Sequence, residues 1–197
     1  MNENYSHPAM PQGAEEGIRR GMYLFRDAGK KKGPRVQLLG CGTILREVIA
    51  AAELLEQDFG VVADIWSCPS FNELRRDGLE AERWSLLHPA QAPRKSYVDE
   101  CFGARQGPII AATDYMRAFA DQIRPYVPRR YVCLGTDGFG RSDYRAALRK
   151  FFEVDRHYVA IAALKALADE GALPKTKIEA AIAKYGIETE KPAPWKT

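Results

Sequence analysis

The sequence predicts an α/β fold, a five-stranded, mostly parallel sheet with helices on both faces, and three observations support that prediction. Short apolar runs of strand length alternate with segments of helical period. Glycines and prolines fall at the joints between them. The 197 residues are 46% hydrophobic, enough for one domain whose core hides roughly 70% of the surface that the unfolded chain exposes.

Residues 1–20 carry Pro8, Pro11, Gly13 and Gly17 with little periodicity and read as a lead-in, with a short turn of helix at Glu15–Arg20. The domain proper is expected over 21–197. Gly21–Arg26 is the first strand, Lys30–Pro34 a turn, and Arg35–Gly40 a second strand, apolar enough to be buried. From Thr43 the period becomes helical: Ile44, Leu45, Val48, Ile49, Ala52 and Leu55 share one face. Gly60 ends that helix, and Val61–Trp66 follows as the third strand of a βαβ unit, whose crossover should be right-handed.

A long connection comes next. Asn72–Leu87 reads as helix, with a break allowed near Asp77-Gly78, and His88–Pro93 stops it. Pro108–Thr113 is the fourth strand. Tyr115, Met116, Phe119, Ala120 and Ile123 are expected to line a helix that ends before Pro125, and Tyr131–Gly135 is the fifth strand. Three helices complete the chain: Tyr144–Phe152, Arg156–Asp169 with Asp155 as N-cap, and Lys175–Tyr185 after Pro174.

Charge and composition exclude several classes. The formal charge of +3 is small and the basic residues are dispersed, apart from Lys30-Lys31-Lys32 on a turn, so no nucleic-acid footprint is seen. There is no apolar run long enough to span a bilayer and no apolar leader after Met1, so no membrane role is expected and the chain reads as cytoplasmic. Cys41, Cys68, Cys101 and Cys133 form no Cys-x-x-Cys pair and read as free thiols, and His7, His88 and His157 have no ligand spacing, so no metal site is expected.

Four strand ends should reach one edge of the sheet, where open α/β folds make their contacts. They carry Thr43, Ser70, Asp114 with Tyr115, and the loop holding Asp137, Phe139, Arg141 and Asp143. In that loop Gly138 and Gly140 allow a tight path that aims the charged residues. Gly40-Cys-Gly-Thr43 has part of a dinucleotide fingerprint, but Leu45 stands where the third glycine belongs. Ser70 or Ser142 would need a base, and only His88, folding back, could supply one. Asp137, Arg141 and Asp143 could equally form an internal ion pair and a helix cap. Trp66, Phe71 and Trp84 read as core or interface anchors.

Met1–Tyr5, Pro11–Ile18, Val36–Arg46, Arg76–Gly78, Glu82–Trp84, Leu87–Pro89, Ala112–Met116 and above all Leu134–Asp143 together resemble the C-terminal domain of the homodimeric bacterial pyruvate dehydrogenases. These are the thiamine-dependent decarboxylating components of the pyruvate dehydrogenase complex, and the resemblance runs along essentially the whole chain. Cys41 departs from it, since serine would be expected there. The resemblance implies a three-layer transketolase C-terminal fold with four parallel strands and one antiparallel, for which Gly21–Arg26 is the candidate. It also implies an enzyme in which two other domains hold thiamine diphosphate and magnesium across a dimer and pass an acetyl group to the lipoyl arm of dihydrolipoyl acetyltransferase.

The sequence itself lacks that cofactor's motif, a Gly-Asp-Gly with asparagines downstream, because its asparagines are Asn2, Asn4 and Asn72. The chain alone is therefore expected to bind no cofactor and to be inactive. Met1 resembles an internal methionine of the longer protein, which points to a fragment or a separately started subunit. The leading expectation is a structural domain that meets the other domains and the dimer mate through its strand-end loops. The alternatives are a free-standing small-ligand-binding domain, using the Gly40–Thr43 turn and the Asp137 loop, and a regulatory module that recruits the acetyltransferase.

Overall fold

A computed structural model describes residues 8–197, so the Met1–Tyr5 motif and His7 lie outside the described residues. In chain order the elements are α1 (Glu15–Arg20), β1 (Tyr23–Arg26), β2 (Arg35–Gly40), α2 (Leu45–Phe59, entered through a 3-10 turn at Gly42–Ile44) and β3 (Val62–Ser67). There follow α3 (Phe71–Leu87), α4 (Tyr97–Phe102), β4 (Ile109–Ala112), α5 (Arg117–Asp121), β5 (Tyr131–Leu134), α6 (Arg145–Phe151), α7 (Arg156–Asp169) and α8 (Thr176–Lys184). The five strands lie in the order β1-β3-β2-β4-β5. β2 to β5 are parallel and β1 pairs antiparallel with β3, as the resemblance implied. In β1 the register slips between Leu24 and Arg26, leaving Phe25 as an extra, bulged residue.

Side-chain alternation along the strands builds two cores. Val36, Leu38, Ile65, Ile110 and Ala112 face one way, against α2, α7 and α8. Leu39, Trp66, Ile109, Tyr131 and Cys133 face the other, against α3, α4 and α5. Each fully buried Leu or Ile contributes about 1.5–3 kcal/mol, so the two layers clamp the sheet from both sides. On the second face sits a buried polar group that the strand pattern alone does not reveal. Asp64, fully buried, accepts from Arg35 Nη1 at 2.6 Å, Gln37 Nε2 at 2.8 Å and Ala28 N at 2.9 Å, and Gln37 Oε1 accepts from Trp66 Nε1 at 2.9 Å.

Helix starts follow local chemistry. Asp155 caps α7 by accepting from His157 N and Tyr158 N at 2.9 and 3.0 Å, as expected. α3 is continuous through Asp77-Gly78, which corrects the break allowed there. Gly78 is present because a Cβ would stand 2.3 Å from the Tyr126 ring, and Asp77 instead accepts from Tyr97 N at 2.6 Å and ties α4 to α3. α4 itself was not anticipated. It is a single short helix, capped by Ser96, whose Oγ accepts from Asp99 N at 3.2 Å.

Replacing Gly78 by Ala is accordingly expected to destabilise the chain by about 1 kcal/mol, although alanine gains about that much in helix propensity, because overpacking against Tyr126 costs more. In a Tyr126→Ala background the same change should be neutral or stabilising. Urea unfolding of the variants checks both, and stabilisation by Gly78→Ala alone would refute the close-approach account.

Candidate interface site

Because β2 to β5 run parallel, the loops that follow them open at one edge of the sheet. Gly21, just ahead of the antiparallel β1, reaches the same edge, where its carbonyl accepts from Ser70 N at 3.1 Å. Thr43, Ser70, Asp114, Tyr115, Asp137, Phe139, Arg141 and Asp143 thus all belong to strand-end loops of that edge. They divide into residues that build the edge and residues that face outward from it.

The builders are polar. Thr43 Oγ1 donates to Asp114 Oδ2 at 3.3 Å, joining the loops after β2 and β4. Ser70 caps α3, its Oγ accepting from Glu73 N at 3.2 Å in a Ser-x-x-Glu arrangement. Asp137 accepts from Arg117 N at 3.1 Å and pairs with Arg117 Nε at 2.9 Å, joining the β5 loop to the start of α5. The Arg117 guanidinium lies 4.6 Å from the Trp195 ring centroid. Gly138 has φ +111 and lies against Pro194, whose carbonyl oxygen would be 2.7 Å from any Cβ there. Gly140 has no such requirement: its φ is not in the left-handed range and nothing crowds it.

The internal ion pair envisaged within the Asp137 loop is therefore not the one formed. Asp137 is taken by Arg117, while Arg141 folds over the Phe151 ring at 4.9 Å, and Asp143 accepts from Tyr144 N at 2.7 Å. Asp143 does not cap α6 either, since Tyr144 occupies the N-cap without a side-chain bond.

The outward set is apolar. Phe139 is 83% exposed and Tyr115 58%, and Met116, Phe119 and Tyr144 are exposed as well. Met116 and Phe119 were expected on the inner face of a helix spanning 115–123. The structure starts α5 only at Arg117, and of the residues expected to line that helix Ala120 and Ile123 are buried while Tyr115, Met116 and Phe119 are not. Tyr115 and Phe119 rings lie 5.6 Å apart and line, with Cys41, Ser70 and Phe71, a cavity of about 260 Å³. Beyond Asp114 a second cavity, of about 320 Å³, is lined by Arg141, Arg145, Arg149, Phe139 and Thr136. Tyr144, Arg145 and Arg149 were not singled out from the sequence, where they read only as parts of an ordinary helix.

Nucleophilic chemistry has no support at this edge. His88 stacks on Trp84 with centroids 4.4 Å apart, and its Nδ1 lies 2.7 Å from Trp84 O. It stands at the far end of α3 from Ser70, about 25 Å away at the helical rise. Burial raises the thiols of Cys41, Cys68 and Cys101, and pushes Cys133 up to about 11, so none is a thiolate near neutral pH. Trp66 and Phe71 are core residues, and Trp84 is half-buried.

The family model for the transketolase-like TK C-terminal domain matches residues 21–155. Curated proteins named pyruvate dehydrogenase E1 component are similar along nearly the whole chain. The one from Pseudomonas aeruginosa is 63% identical over 195 residues, covering 98% of this chain and 22% of that protein. Those from Cupriavidus necator and Escherichia coli K12 are 61% and 52% identical with the same coverage. The chain thus spans about a fifth of the length of these relatives. Among solved structures, transketolase from Leishmania mexicana superposes with a TM-score of 0.52 at 18% identity, over 81% of this chain and 20% of that one. A Pichia stipitis transketolase bound to a fructose phosphate gives 0.52 at 21%, over 78% and 19%. These likenesses show the fold.

Proposed function

We propose, from the premise that the chain belongs to the transketolase-like C-terminal domain family, that it is the interface domain of a pyruvate dehydrogenase E1 enzyme and supplies surface rather than reacting groups. The observation that carries this reading is the exposed apolar set, Tyr115, Met116, Phe119, Phe139 and Tyr144, on the strand-end edge. A cluster of that kind marks a contact surface, and interdomain faces of about 600–1,500 Å² mix such anchors with polar groups like Asp114 and Arg141. Curated relatives with several times this chain's length give that edge neighbours to meet. In this reading residues 1–20 are the lead-in, with α1 as its docked end, and 21–197 the domain.

The residues present do not fit a thiamine diphosphate and magnesium site. Asp137, the carboxylate of the Asp-Gly pair, is already held by Arg117, and among the described residues no group of three or more His, Cys, Asp or Glu could hold a metal. The reading therefore places both on the remaining domains, across a dimer, where the thiazolium supplies the electron sink for decarboxylating pyruvate. The acetyl product then passes to the lipoyl group of dihydrolipoyl acetyltransferase, in the cytoplasm. Among the described residues no helix is long and apolar enough to cross a membrane.

The test is direct. The purified chain, given pyruvate, thiamine diphosphate, magnesium and an electron acceptor, is expected to show no turnover above buffer. Carbon dioxide release by the chain alone would overturn the reading.

A further inference from the structure

The chain leaves β2 for β3 on one side of the sheet and reaches β4 and β5 on the other, so the winding reverses between β2 and β4. At such a reversal the two following loops diverge, and the crevice between them is where open α/β sheets take ligands. Here the loops carry Thr43 and Asp114, and the cavity of about 320 Å³ opens beside their hydrogen bond. That volume lies within the range of small-molecule sites, roughly 300–1,000 Å³.

Its lining is strongly biased in charge. Arg141, Arg145 and Arg149 contribute guanidinium groups, whereas Asp114 is the single carboxylate among the lining residues. Glu47 bonds Arg149 Nη1 at 3.0 Å and fixes the side chain's position, and Arg149 Nη2 reaches Thr43 Oγ1 at 3.5 Å. Thr43 and Thr136 add hydroxyl groups, and Ile44, Leu148 and Phe152 provide an apolar wall. Guanidinium groups bind phosphate oxygens in a bidentate, charge-assisted manner, and hydroxyls complete the set. A dianion balances this lining better than a monocarboxylate does, and the apolar side suits an organic body.

We propose that this cavity is a binding site for a small phosphomonoester, its phosphate held by Arg141 and Arg145 and its organic part lying against Ile44, Leu148 and Phe152. The cavity shares Asp114, Phe139 and Arg141 with the edge assigned above to docking, so the assignment is made for, and tested on, the chain with that edge free.

Calorimetric titration of the 197-residue chain with AMP, inorganic phosphate and adenosine tests it. AMP is expected to bind saturably with Kd below about 1 mM, in the usual range for metabolite sites, with inorganic phosphate competing and adenosine giving no binding. The double variant Arg141→Ala, Arg145→Ala should weaken AMP by at least about tenfold, the loss of one charge-assisted contact or more. Both residues are exposed, so its melting curve should match the parent's. Absence of saturable binding by AMP, equal binding of adenosine, or undiminished affinity in a folded double variant would each overturn the proposal. Should the double variant fail to fold, the outcome is decided on the parent chain: displacement of AMP by inorganic phosphate supports the site, and no displacement overturns it.

Discussion

With Tyr115 and Phe139 both replaced by aspartate, the E1 enzyme proposed above is expected to lose the cooperativity that would join this domain to its neighbours. Calorimetry should then show the domain melting in a separate transition at the temperature of the isolated chain, and turnover should fall with it. Each residue is a large aromatic standing in solvent, 58% and 83% exposed in this chain alone. If the edge is an interface they are its anchors, and removing such anchors costs about 2 kcal/mol apiece, about 4 kcal/mol together. A carboxylate placed in a desolvated contact adds to that loss. The isolated chain provides the control. Neither side chain supports its core, so its unfolding free energy should change by no more than about 0.5 kcal/mol. A single unchanged transition and unchanged turnover would remove the strand-end edge from the interface.

Glu47→Ala has the largest effect expected on the chain itself, about 3 kcal/mol of lost stability and a melting temperature lower by about 6–12 °C. The Glu47 side chain is 7% exposed and bridges two cations, Arg149 at 3.0 Å and Arg156 at 2.9 Å, the second also through its backbone N–H at 3.1 Å. Arg149 is itself only 15% exposed, so the pair is a buried one on that side, while Arg156 at 46% is partly screened and keeps the effect at the low end. Burial by itself would raise the Glu47 carboxyl, but the Arg156 hydrogen bonds and the charges of Arg156 and Arg149 outweigh it and hold the group below its ordinary 4.5. A carboxyl depressed in the folded state stabilises fully above its unfolded value and loses that contribution as pH falls through the folded one. Acid titration of the wild type should therefore show a larger loss of stability below about pH 4.5 than the Glu47→Ala chain, in which the depressed Asp27, Asp58 and Asp169 carboxyls remain. Parallel pH profiles for the two would refute the bridge as a source of stability.

The architecture was legible where a local signal decided it. β2 declares itself through Val36, Leu38 and Leu39, and α7 through the Asp155 cap and the run of alanine and leucine behind it. Distant partners decided the rest. Gly78 reads as a helix breaker until the Tyr126 ring is seen in the space of its missing side chain. Gln37 and Asp64 are polar residues in strand interiors, tolerable because they bond each other across neighbouring strands at 2.8 Å and Arg35, Ala28 N and Trp66 complete the network. The start of α5 depends on Asp137, which takes Arg117 N and leaves Tyr115 and Met116 outside the helix. The strand-end residues could be placed on one edge from topology alone. Which of them build that edge and which face outward depended on capping and pairing between loops far apart in sequence, and the arginines of α6 carried no motif that spacing could flag.

The bulge at Phe25 bears on how these molecules behave when concentrated. β1 forms a margin of the sheet, and a straight margin displays unpaired amides that can template a strand from another molecule. One surplus residue twists the row out of line, so a copy drifting alongside finds no continuous ladder to extend. Polymerisation into fibres along that side is discouraged by geometry, without any charged gatekeeper being required.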